Sequence, residues 1–250
     1  MSGHSKWATI KRKKGALDAK RGKLFARLIK AIEAAAREGG ADPEGNPTLA
    51  TMVQKAKDAS VPKDNIERAL ARAAGKEGAG ANWETVYYEG YAPGGVAVYV
   101  ECLTDNRNRA AAEVRTAFSK NGGSLAEPGA VNYLFSRTGI LSVPTQGVEE
   151  DDLLMAGIEA GLEDVTDDGE AYTVTCQPED VLGPRKALEE AGIHVSSSDT
   201  TMMPSVMVSI GDLESARKVL RIIDALEDAD DVQDIFANYD IADDIMEAVA

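Results

Sequence analysis

The spacing of apolar positions along this chain changes period twice. From Ala16 to Arg37, the residues Leu17, Leu24, Phe25, Leu28, Ile29, Ile32 and Ala36 recur at about 100° per residue, which places them on one side of a single helix. Gly39-Gly40 stops that helix, and Asp42-Pro43-Glu44-Gly45 reads as a turn. Asn46 as cap and Pro47 in the first turn open a second helix to about Ala59, with Leu49, Met52, Val53 and Ala56 inward. Ser60-Val61-Pro62 interrupts it. A third helix then turns Ile66, Ala69, Leu70 and Ala73 inward before Gly75. Residues 16–75 are thus predicted to be a three-helix unit, and the Gly-rich run GKEGAGAN after it a linker.

From Thr85 the period falls to two. Val86 and Tyr88, then Val96, Val98 and Val100, alternate around the turn Ala92-Pro93-Gly94-Gly95. Thr104-Asp105-Asn106 caps an amphipathic helix over Ala110–Lys120, a strand is expected over Ala130–Phe135, and Gly139–Val143 extends its pattern. A similar order then recurs: helix Glu150–Ala160, strands Glu163–Thr166 and Ala171–Cys176, helix Glu179–Ala191 and a strand from Ile193. Helix Leu213–Leu226 and strand Val232–Tyr239 follow. The expected fold is α+β and multidomain: a three-helix unit followed by two ferredoxin-like α/β domains, one inserted in the other. The expected bounds are 1–80 for a basic arm and helical domain, 81–135 with 205–250 for one α/β domain, and 136–204 for the insert. Pro204-Ser205 marks the expected return. One sequence leaves the strand pairing open.

Charge adds direction to this picture. The first forty residues hold eleven Lys or Arg against Asp18, Glu33 and Glu38, a sum of about +8. The whole chain carries −15, so the remaining 210 residues sum to about −23. Sorting of this kind points the N-terminal end at a polyanion. Residues 1–15 show no apolar periodicity and read as a basic arm. On the first helix, Lys20, Lys23, Arg27, Lys30 and Arg37 fall within an arc of roughly 100° opposite the apolar side. An ordinary solvated helix mixes signs to form i,i+4 pairs, and this stripe has few acids to do so. The candidate nucleic-acid-binding residues are Lys6, Lys11, Arg12, Lys13, Lys14, Lys20, Arg21, Lys23, Arg27 and Lys30. Trp7, inside the arm, reads equally as a base-stacking platform or as a hydrophobic anchor.

Enzyme chemistry finds little support. There is no GxSxG, P-loop, strand-linked GxGxxG, HExxH or Cys-His nucleophile arrangement, so no catalytic residues, cofactor or small-molecule substrate are expected. Cys102 and Cys176 lie 74 positions apart with only His4 and His194 to join them, which favours buried inert thiols over a metal site or a disulfide. The acidic run Asp224, Glu227, Asp228, Asp230, Asp231 and Asp234 lacks calcium-loop spacing and reads as a solvated helix end. Asp105-Asn106-Arg107-Asn108-Arg109 is either a phosphate-binding helix start or an ordinary cap with exposed arginines. Met202-Met203-Pro204 is either a loop tip that probes a partner or an edge strand with one Met buried. No stretch approaches eighteen apolar residues and no signal-peptide pattern opens the chain, so a cytoplasmic protein without membrane contact is expected.

Several segments together carry a resemblance: SGHSKWATIKRKKGALDAKRGKLFARLIKAI, NPTL, SVPKDNIERA, YEGYAPGG, LTDNRNRAAAEVR and ALEDADDVQ. In unbroken order along the full length, they resemble the YebC family, described as transcriptional regulators and including a mitochondrial translational activator of cytochrome oxidase. The resemblance implies an N-terminal helical domain, two α/β domains and no known catalytic activity. It also implies two competing roles: binding DNA to regulate transcription, or binding the ribosome to assist translation of difficult stretches such as consecutive prolines. A methionine-bearing loop proposed to reach the peptidyl transferase region would fall here at Met202, Met203 and Pro204.

Of the two roles that the resemblance implies, the residues favour ribosomal RNA as partner, with double-stranded DNA as the alternative. A helix-turn-helix made of the second and third helices would present Lys63, Asn65, Arg68 and Arg72 to the major groove. Yet residues 41–80 balance six basic against six acidic residues, which leaves that pair without an electrostatic footprint. Phosphate gripping by the arm and first helix needs no base-reading code. An unrecognised enzyme in the acidic α/β region ranks last.

Overall fold

The computed structural model describes residues 17–75 and 83–249. These form two compact units, one joining the helical segment to Arg137–Thr201, the other joining residues 83–136 to 202–249.

In the first unit, α1 (Leu17–Gly39), α2 (Pro47–Asp58) and α3 (Lys63–Ala74) enclose Leu28, Ile32, Ala36, Leu49, Val53, Ala56, Val61, Ile66 and Ala69. The apolar spacing of the sequence dictates this core, and one buried polar residue fixes its corner. Asn46 Oδ1 accepts the Leu49 N–H at 3.1 Å as the cap of α2, while its Nδ2 donates to the Ala35 and Gly40 carbonyls, each at 2.9 Å. That second role adds a side-chain donor at the C-terminal end of α1, where helical N–H groups run out. It also requires Gly39, because a Cβ there would stand 2.6 Å from Asn46 Nδ2. Arg72 of α3 donates to Glu33 of α1 across the bundle.

The rest of this unit comes from strand β4 (Phe135–Pro144), α5 (Glu150–Gly157), β5 (Leu162–Asp167), β6 (Ala171–Cys176), α6 (Leu182–Glu190) and β7 (Ser197–Pro204). The sheet order β5-β6-β4-β7 with this βαββαβ succession is ferredoxin-like. Its core is Leu141, Val143, Leu153, Leu162, Val174, Val181 and Leu188 with their neighbours. Arg185 of α6 joins the two parts: it contacts Asp58 of α2 through Nη1 at 2.6 Å and Nη2 at 3.0 Å. Both side chains are nearly buried, and Ser198 donates to Asp58 from its backbone while accepting from Arg185 at its hydroxyl. Lys55 pairs with Asp199 beside them at 2.8 Å.

The second unit is a sheet of order β3-β1-β2-β9, formed by β1 (Glu84–Ala92), β2 (Val96–Thr104), β3 (Ser124–Leu125) and β9 (Val232–Ala237). The β1–β2 hairpin closes as the sequence predicts, through Gly94 and Gly95 at φ of +81° and +78°, which residues with a side chain rarely adopt. Val96, Val98, Val100 and Cys102 face α4 (Arg107–Lys120) and α7 (Leu213–Glu227). On the other face, Ala97, Tyr99, Val131, Phe135 and Phe236 form a smaller cluster. A two-stranded parallel sheet of β8 (Val208–Ile210) and β10 (Tyr239–Ile241), and α8 (Asp243–Val249), complete the unit. The last helix lies outside the elements predicted from the sequence.

Two expectations are corrected here. Residues 130–134 are not a strand but a loop and a short 3-10 turn, Asn132–Leu134, with β4 starting at Phe135. The cause is Glu89, a buried carboxylate of β1 that accepts the N–H groups of Gly129, Val131 and Asn132 at 2.6–2.9 Å and so takes them from any ladder. Second, Ile193–Ser196 is irregular, and β7 begins only at Ser197. Both cysteines are buried thiols outside any disulfide, and burial pushes the Cys176 thiol up to about 12.

Removing one partner of a buried pair leaves the other charge stranded, at a cost of about 3–5 kcal/mol. Asp58→Ala is therefore expected to lower unfolding free energy by about that amount in urea titrations, and more than Asp42→Ala on the exposed turn. For Glu89, burial favours the neutral acid, but the N–H groups of Gly129, Val131, Asn132 and Ala130 outweigh it and hold the carboxyl below its usual range. The stabilisation it gives is thus present above the unfolded carboxyl value of about 4.3 and lost as pH falls through the lowered folded value. Glu89→Gln is expected to destabilise at pH 7 by about 1–3 kcal/mol, with the gap to the parent narrowing in acid below about pH 4. A gap independent of pH down to about 2 would contradict this.

Candidate nucleic-acid interface

Ala, Leu, Lys, Arg and Glu dominate α1 and favour a long helix whatever it packs against. Its orientation is set by Leu28, Ile32 and Ala36, all buried, with Phe25, Ile29 and Ala35 half-buried beside them. Taking Ile32 as the inward direction, Lys23, Arg27, Lys30 and Arg37 emerge within about 80° of the opposite side. Lys23 and Arg37 are exposed, and Arg27 and Lys30 are half-buried along their stems. One face of a single helix therefore carries four cations on a rigid back.

Other candidates stand differently. Arg21 emerges on the packed side, and its guanidinium lies 5.4 Å from the centre of the Phe25 ring, a cation–π arrangement away from the stripe. Leu24, expected inside, is 42% exposed at the edge of the packed face. Lys20 lies in the first turns of α1. Lys6, Lys11, Arg12, Lys13 and Lys14, with Trp7, lie outside the described residues.

The helix-turn-helix candidates on α3 are engaged locally. Lys63 pairs with Glu67 at 3.4 Å, and Arg68 donates to the Asp64 carbonyl and to Asn65 Oδ1 of its own helix. Arg72 is held by Glu33. At the start of α4, Asn106 is an ordinary cap that accepts from the Arg109 N–H at 3.1 Å. Arg107 makes two 2.6 Å contacts to Glu84, and Arg109 reaches Asp105 and Asp231. This stretch is thus the ordinary-cap reading, with its arginines committed to carboxylates. Asp231 is the exception within the acidic run: it is buried and also accepts from the Thr104 hydroxyl at 2.9 Å.

Met202 and Met203 lie in β7, whose last residue is Pro204, on the edge of its sheet. Met202 packs against the cluster of Ala97, Tyr99, Val131, Phe135 and Phe236. The turn itself is Ser205–Met207, tied down by the Ser205 N–H and hydroxyl donating to the Leu134 carbonyl at 2.8 and 3.0 Å. An edge strand is therefore the arrangement found, with Met202 and Met203 both half-buried rather than one of them buried.

Among the described residues, no group of three or more His, Cys, Asp or Glu is placed to hold a metal ion. None of the described helices is long and apolar enough to cross a membrane.

A helical unit with its cations on one face, joined to acidic antiparallel α+β domains, defines a class of multidomain α+β protein with one cationic helix. The chain belongs to the TACO1/YebC family: residues 5–76 match the description "TACO1/YebC protein N-terminal domain", and residues 83–239 match "TACO1/YebC second and third domain". It is 60% identical over 250 residues, all of both chains, to a "Probable transcriptional regulatory protein" of Thermobifida fusca. It is also 60% identical to a similarly named protein of Mycolicibacterium smegmatis, covering 98% of this chain and 97% of that one. A crystal structure of a conserved hypothetical protein from Aquifex aeolicus is similar with a TM-score of 0.83 and 47% identity, over 96% of this chain and 98% of that one.

Reversing Lys23, Arg27 and Lys30 to Glu is expected to leave the helical circular-dichroism signal intact, because Leu28, Ile32 and Ala36 hold α1 from behind. Affinity for duplex RNA or DNA is expected to fall about tenfold or more, with the log–log salt slope flattened by about 2–3, since each lost phosphate contact removes about 0.7–0.9. An unchanged slope in fluorescence-anisotropy titrations would take the stripe out of the interface.

Proposed function

We propose that this chain is a non-enzymatic regulator of gene expression that anchors on ribosomal RNA phosphates through its basic N-terminal arm and α1. It acts in the cytoplasm, without a cofactor, and assists synthesis of difficult stretches such as consecutive prolines. The observation that carries the anchoring is the cationic side of α1 set against a back packed through Leu28, Ile32 and Ala36. Ribosomal RNA is preferred to DNA because α3, the candidate reading helix, has its basic side chains engaged within the helical unit. Phosphate and shape contacts suffice on folded RNA, whereas sequence reading in a DNA groove needs side chains free to meet base edges.

The second reading is a DNA-binding transcriptional regulator, favoured by the shared name of the relatives. Sedimentation of cell extract at low salt, followed by nuclease footprinting at about 150 mM salt, separates the two. Comigration with ribosomal particles without a preferred DNA footprint is the expected result. A sequence-specific footprint with no ribosomal comigration would overturn the ribosomal reading. Within the favoured reading, Met203→Ala is expected to slow translation of a consecutive-proline reporter while ribosome comigration is unchanged. Met203 suits this test better than Met202, whose truncation would also open the cluster beneath it. Equal reporter rates would remove Met203 from any contact with the translation machinery.

A further inference from the structure

The ferredoxin-like part carries a surface that the anchoring helix does not explain. Between Arg137 and Thr201 there are three basic and fifteen acidic residues, a net of −12. Arg185 is taken up by Asp58 and Glu189, and Lys186 pairs with Glu190. On this surface, α5 and the 3-10 turn after it (Ile158–Ala160) expose Met155 at 75% and Ile158 at 61%. Single exposed apolar residues are ordinary. These two are neighbours at i,i+3, while Leu153 and Gly157 take the buried side. Around them, Asp151 and Asp152 lie one turn before Met155, and Glu159 one turn after it, all exposed.

An apolar pair inside a ring of carboxylates specifies its occupant by charge. Nucleic acid and anionic membrane are repelled, and a second copy of the same surface would set carboxylates against carboxylates. We propose that the Met155–Ile158 face docks a basic protein segment, one that seats an apolar side chain between Met155 and Ile158 and places Lys or Arg against Asp151, Asp152 and Glu159. Methionine suits such a role because its unbranched chain adapts to the shape of what it meets. The surface is independent of which nucleic acid α1 grips. It gives the chain two ends of opposite preference, one for phosphate and one for the basic proteins that accompany it.

The test uses the full chain and a short fluorescent amphipathic peptide of lysine and leucine, with a lysine–serine peptide as control. The lysine–leucine peptide is expected to bind more tightly than the control. Met155→Ser with Ile158→Ser is expected to raise its Kd about tenfold or more while leaving the control within about twofold. Both side chains are solvent-exposed, so the thermal midpoint should match the parent. Asp151→Asn, Asp152→Asn and Glu159→Gln together should weaken both peptides and flatten the salt dependence. Unchanged lysine–leucine affinity in the Ser variant, unchanged affinity and salt dependence in the carboxylate variant, or no preference between peptides in the parent would each overturn the proposal.

Discussion

The contact between Arg185 and Asp58 is the constraint on which the first unit depends. Three helices of about a dozen to two dozen residues make a small core, and such a core is marginal alone. A bidentate ion pair shielded from water ties α2 to α6, and Ser198 and the Val195 carbonyl satisfy the remaining donors. Buried pairs of this kind contribute less to net stability than their Coulomb energy implies, because both charges must be desolvated. Their stronger effect is on alternatives: a helical unit docked one turn out of register would strand a guanidinium and a carboxylate away from water. The pair therefore fixes where the cationic helix stands relative to the ferredoxin-like part.

The same economy appears in the second unit. Glu89 and Asp231 come from a strongly acidic chain, yet each is buried among donors. Glu89 shapes the 129–132 loop, and Asp231 joins β2 and α4 to the start of β9 through Thr104 and Arg109. The acidity of the chain is thus not uniform surface dressing. A few carboxylates serve as internal fasteners, and the remainder leave the α+β body with a charge opposite to that of the α1 stripe.

Local chemistry made much of the fold legible. The Asn46 cap, the Gly75 stop, the Pro93-Gly94-Gly95 turn and the strand Ala171–Cys176 follow from residue types within a few positions of each other. The cationic side of α1 was readable because helical geometry converts spacing directly into a face. What escaped depends on partners far along the chain. Arg185 and Asp58 are 127 positions apart, and nothing near either announces the other. The strand expected over residues 130–135 failed because a carboxylate forty positions earlier claims its N–H groups. Arg21 is among the candidate binding residues on charge alone, although 100° per residue puts it on the Phe25 side. Spacing could have separated it.

The capping of α1 by Asn46 has an electrostatic consequence for the whole helix. Aligned peptide groups give a helix a positive pole at its N-terminus and a negative one at its C-terminus, each of about half a charge. In α1 the negative pole lies at Gly39, where the Asn46 amide donates to the Ala35 and Gly40 carbonyls and masks part of it. The positive pole lies towards Leu17, in the half of the helix that carries Lys20 and Lys23 in its sequence. Backbone and side chains thus grade the potential in one direction along about 34 Å of helix. Any anion approaching α1 would meet its steepest attraction at the N-terminal end, so the helix has a polarity along its axis as well as a charged face.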